Sequence, residues 1–82
     1  MVIELADTER GFARAEFIDR YGSKCSIQES SLADEAAIWL GVDRDFNELN
    51  AASGGHRMHL TQGHVRELLP LLQRFVETGG LR

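Results

Sequence analysis

The chain has 82 residues, 43% of them hydrophobic and 27% charged, and its 13 acidic residues against 9 basic ones give a formal net charge of -4. One domain, residues 1–82, is the expectation at this length; such a domain buries only about 60% of its unfolded surface and one core supplies roughly 3 to 5 kcal/mol, so self-association is expected. Cys25 is the only cysteine, which leaves no internal disulfide and no multi-cysteine zinc site, and an acidic balance without a Lys/Arg cluster lacks the footprint of non-specific nucleic-acid binding.

Met1 to Asp7 has no basic n-region, and no apolar run approaches the roughly 18 residues of a membrane span, so a soluble cytoplasmic protein is expected. Between Gly11 and Asp19, Phe12, Phe17 and Ile18 favour a strand despite the alanines. Asp19-Arg20-Tyr21-Gly22 has Asp first and Gly fourth, the chemistry of a type I turn, and makes a hairpin with Ser23 to Ser30, where Cys25 and Ile27 alternate with polar neighbours. Ser31 to Ala36 reads as a loop. Ala37 to Val42 is a third strand, residues 46 to 56 are a long connection rich in loop formers, and Arg57 to Leu60 is a fourth strand.

The last element has the strongest pattern. Thr61 is placed to cap a helix on which Val65, Leu68, Leu69, Leu72, Phe75 and Val76 form one apolar stripe, ending at Gly79 and Gly80. Pro70 inside that stripe predicts either one bent helix or two segments. The order gives an α+β fold: a small antiparallel four-stranded β-sheet with one C-terminal α-helix packed on one face.

One helix covers one face, so the other is exposed. If Phe17, Cys25, Ile27, Ile38, Leu40, Met58 and Leu60 face the helix, then Glu16, Ser26, Gln28, Trp39, Arg57 and His59 face away. Ser26, Gln28, Trp39, Arg57 and His59 combine an aromatic ring, a guanidinium, an imidazole, an amide and a hydroxyl, which suits stacking on a planar group and holding a phosphate or carboxylate. The same set also suits a dimer or partner interface anchored by Trp39. His56, His59 and His64 are spaced too loosely for a shared metal, and Cys25, alternating with Ile27, reads as a small buried hydrophobe; neither a metal, another cofactor nor an enzymatic activity is expected. The acids Asp34, Glu35, Asp43 and Asp45 read as solvated charge.

Arg10-Gly11-Phe12, Phe17 to Gly22, Cys25 to Leu32, Ala37 to Gly41, Arg57 to Thr61 and Val65 to Gly79 together resemble a family of short proteins encoded by tailed bacteriophages and prophages. Its members often have a longer segment between the Ile38-Trp39-Leu40-Gly41 and Arg57-Met58-His59-Leu60 motifs than the span Val42 to His56 here. The family carries no settled activity, so the resemblance implies a phage context acting in the host cytoplasm. In that context two expectations follow: a binding protein that sequesters a nucleotide second messenger, with Trp39 stacking a base, Arg57 pairing with phosphate, and Ser26 and Gln28 reading base edges; or a stoichiometric inhibitor of a host defence or nucleic-acid-handling protein. Either is compatible with a homo-oligomer.

Overall fold

The computed structural model describes residues 3–32, 34–43 and 56–82, apart from the side chain of His56. Five strands form one antiparallel sheet in sequence order: β1 (Ala6–Asp7), β2 (Ala13–Ile18), β3 (Lys24–Glu29), β4 (Ala37–Val42) and β5 (His56–Thr61), followed by α1 (Gln62–Thr78). The α+β class and the C-terminal helix are as the sequence predicts. The sheet has one more strand, the two-residue β1 at its edge. Of the connection expected over residues 46 to 56, residues 46 to 55 lie outside the described residues, and His56 belongs to β5, which begins one residue earlier than expected.

The first two turns are built alike. At Asp19 to Ser23 the Asp19 N–H donates to Ser23 O at 3.0 Å, Gly22 N–H to Asp19 O at 3.1 Å, and the Asp19 carboxylate accepts from the N–H groups of Tyr21 and Ser23 at 2.9 Å each. At Thr8 to Phe12, the Thr8 N–H donates to Phe12 O, Gly11 N–H to Thr8 O, and the Thr8 hydroxyl accepts from Phe12 N–H. Gly22 and Gly11 have φ of 84° and 85°, the left-handed position that this hairpin geometry reserves for glycine.

Register places Ala15, Ile27, Leu40 and Met58 in one row across the sheet and Phe17, Cys25 and Val42 in the next, all on one face. The expected division between an apolar and a polar face is therefore the one the pairing produces. The helix, however, does not lie over the apolar face. None of its residues is buried, and Leu69, Leu72, Phe75 and Val76 are 57%, 54%, 55% and 81% exposed.

The physical cause is the connection. Thr61 is both the last residue of β5 and the N-cap of α1, with its hydroxyl accepting from His64 N–H at 3.3 Å and its own N–H donating to His64 Nδ1 at 3.1 Å. A strand that becomes a helix without an intervening residue has no room to fold back onto its own sheet, for which two to six residues are usual. Only the start of α1 meets the sheet, where Val65 is half-buried beside Leu60 and Ile38. The helix runs through Pro70 as one element, giving up the bond Pro70 would have donated to the carbonyl of Arg66, and ends at Gly79 (φ 81°), whose N–H bonds Phe75 O at 2.8 Å. No described helix is long and apolar enough to cross a membrane.

Candidate functional site

Two rows of side chains cross the polar face. Arg14, Gln28, Trp39 and His59 pair in one, and Glu16, Ser26, Gly41 and Arg57 in the other. Gly41 contributes no side chain, so its row has an open place between Ser26 and Arg57. Asp43, one residue beyond β4, reaches back into this space.

Asp43 is the hub. Its Oδ2 accepts from Arg14 Nη2 at 2.6 Å, its Oδ1 accepts from the Ser26 hydroxyl at 2.7 Å, and Arg57 Nε stands 3.9 Å from Oδ1. Gln28 Oε1 accepts from both guanidiniums, Arg14 Nη1 at 2.7 Å and Arg57 Nη1 at 3.2 Å. Glu16 closes the other side, with Arg14 Nη2 at 3.1 Å and Lys24 Nζ at 3.6 Å. Burial works against the charge of Arg14, but the hydrogen bonds and field of Glu16 and Asp43 outweigh it and hold the guanidinium above its ordinary range. Among the described residues no buried side-chain polar atom lacks a partner.

Beside this network stands an aromatic pair. The rings of Trp39 and His59 stack with centroids 3.9 Å apart and planes 8° from parallel, and the Arg57 guanidinium lies 5.4 Å from the Trp39 centroid, within cation–π range. His59 Nε2 is 2.8 Å from the Ser30 hydroxyl. A cleft of about 450 Å³ opens next to Trp39, lined by Glu9, Arg10, Phe12, Gln28, Glu29 and Ser31 among others.

All five expected site residues thus lie on one face, in two adjacent rows. Three details differ from the sequence reading. Ser26 is completely buried, with its hydroxyl given to Asp43, so it supports the site from beneath and offers no surface for reading a base edge. Asp43 is not solvated charge: its side chain is 19% exposed and paired. Arg14 belongs to the site and was not among the expected residues, although its position two before Glu16 on an alternating strand puts it on the polar face.

Cys25 is buried on the opposite face with its Sγ 3.6 Å from Ser23 O, and burial, with the charges of Asp19 and Asp43 adding to it, pushes its thiol up. His64 is engaged with Thr61 at the helix cap. Among the described residues no group of three or more His, Cys, Asp or Glu side chains is placed to hold a metal ion. Compared with protein-family models, curated proteins and solved structures, the chain matches none.

Proposed function

We propose that this chain is a phage-encoded, non-enzymatic binding protein that acts in the host cytoplasm against antiviral defence by capturing a planar, anionic ligand of the nucleotide type on the polar face of its sheet. The observation that carries this reading is the Trp39–His59 stack with the Arg57 guanidinium against it. A flat ring system extends the aromatic stack, and a phosphate finds guanidinium donors in the same row, Arg14, and in the adjacent one, Arg57. The phage context comes from the sequence resemblance.

One observation favours a second reading. Asp43 and Gln28 already hold both Arg14 and Arg57, so a phosphate must compete with a carboxylate for them. A host protein docking over Trp39 leaves those bonds intact, which supports a stoichiometric inhibitor of a defence or nucleic-acid-handling complex.

Trp39 is the only tryptophan, so its fluorescence reports on the site directly. Titration with adenosine mono- and diphosphates and cyclic dinucleotides is expected to quench it saturably, and Arg57→Ala to abolish the response while the fold persists. No response to that panel, together with no retained small mass in native mass spectrometry of the protein purified from infected cells, overturns ligand capture. Recovery of a host protein in a complex weakened by charge reversal at Glu16 then establishes the second reading.

A further inference from the structure

The apolar side of the molecule lacks a cover. Among the described residues only Ala15 and Cys25 form a buried apolar core, while the helix exposes a continuous stripe of Leu68, Leu69, Leu72, Phe75 and Val76 and the sheet exposes Met58 at 53%. The chain exposes 6747 Å², whereas a compact monomer of 9.2 kDa exposes about 4,900 Å². The difference is about 1,800 Å² per chain, and burying about 1,000 Å² of surface on each of two copies removes about 2,000 Å² in total, the lower end of the range of obligate homodimers.

We propose that this surface is covered by a second copy of the chain, in a two-fold dimer in which α1 of each copy lies across the apolar sheet face of the other. Each chain carries one exposed apolar stripe and one apolar sheet face on which Ile27, Leu40 and Leu60 are half-buried and Met58 is exposed, and the zero-residue connection at Thr61 keeps them apart within a copy. A two-fold axis satisfies both at once, since the same surface patch serves on each copy. The dimensions match. A helix of 17 residues is about 25 Å long, and five strands span about 19 Å between outer axes.

A groove of about 820 Å³ already begins this seat, lined by Phe12, Ile38 and Leu60 from the sheet side and Val65 and Leu69 from the helix. A lipid surface is the weaker fit: the helix balances Arg66 and Arg74 with Glu67 and Glu77, so it lacks the cationic flank that draws an amphipathic helix to anionic membranes. The dimer leaves the Trp39 face open on both copies, so it stands or falls independently of ligand capture.

Sedimentation velocity on the wild-type chain across the micromolar range is expected to show a dimer, with a thermal midpoint that rises with concentration. Leu72→Asp is expected to raise the dissociation constant by about 100-fold or more, because the carboxylate must be desolvated in the interface. In a Cys25→Ala background, copies carrying Met58→Cys mixed with copies carrying Leu72→Cys are expected to be joined by a short bis-maleimide. A wild-type monomer with a concentration-independent midpoint overturns the proposal, as does a closed assembly larger than two. A dimer in which the Met58→Cys and Leu72→Cys copies fail to cross-link overturns the helix-on-partner-sheet arrangement, and this readout does not depend on whether Leu72→Asp folds.

Discussion

The two faces of the sheet differ in what completes them. On the polar face Ser26 is fully buried beneath a network of Arg14, Asp43, Gln28 and Arg57; on the apolar face Ala15 and Cys25 are buried but Met58 is exposed, and the stripe of α1 from Leu68 to Val76 meets solvent. The polar face is complete within one chain because long side chains from β2, β3 and β5 reach across the face to Asp43 and to one another. The apolar face is incomplete because its cover has to come from an element that the chain's own connectivity directs elsewhere. Burial in this protein is therefore set by which partners are within reach, more than by the hydropathy of each residue.

The sharpest way to break this contrast is to remove its hub. Asp43→Ala strands the hydroxyl of buried Ser26 and takes from Arg14 its shortest ion pair, leaving it Glu16 and Gln28, and is expected to cost about 2 kcal/mol in urea unfolding. A cost near zero would mean that the network is incidental to folding. On the other side, Leu69→Ala is expected to cost about 2 kcal/mol at concentrations where the second copy is bound, although the side chain is 57% exposed in a single chain. A cost below about 0.5 kcal/mol would show that the stripe stays in water.

Smaller effects refine the comparison. Thr61→Ala removes the capping box where strand passes into helix and is expected to cost about 1 kcal/mol, read by loss of helical circular dichroism on heating. The smallest effect is the pH dependence of Cys25. Its folded-state thiol titrates above the unfolded value of about 8.5, so the stability gained from burying the neutral thiol is fully present below that pH and is lost as pH rises through the higher folded value. The thermal midpoint is expected to fall slightly in that alkaline window, and Cys25→Ala to remove that part of the slope.

Local chemistry made much of this legible without coordinates. Alternation at Cys25 and Ile27 assigned side chains to faces, Asp19 and Gly22 defined a turn, and the spacing from Val65 to Val76 with Thr61 and Gly79 defined a helix, because periods of two and of about 3.6 residues and end caps depend only on neighbours in sequence. The edge strand β1 was missed although Thr8 to Gly11 repeats the turn logic of Asp19 to Gly22, since two residues are too few to show alternation.

The register-dependent facts required the tertiary structure. Asp43 is a bare loop acid in sequence and becomes a hub only when pairing puts Gly41 between Ser26 and Arg57 and brings Arg14 within 2.6 Å. The stacking of Trp39 on His59 likewise depends on a cross-strand pairing 20 residues apart that no local pattern encodes. Composition and periodicity by themselves determined that α1 has one apolar side. That this side does not lie on the chain's own sheet was decided by the absence of a residue between β5 and α1, because the direction in which a helix leaves a strand is a property of chain geometry and not of hydropathy.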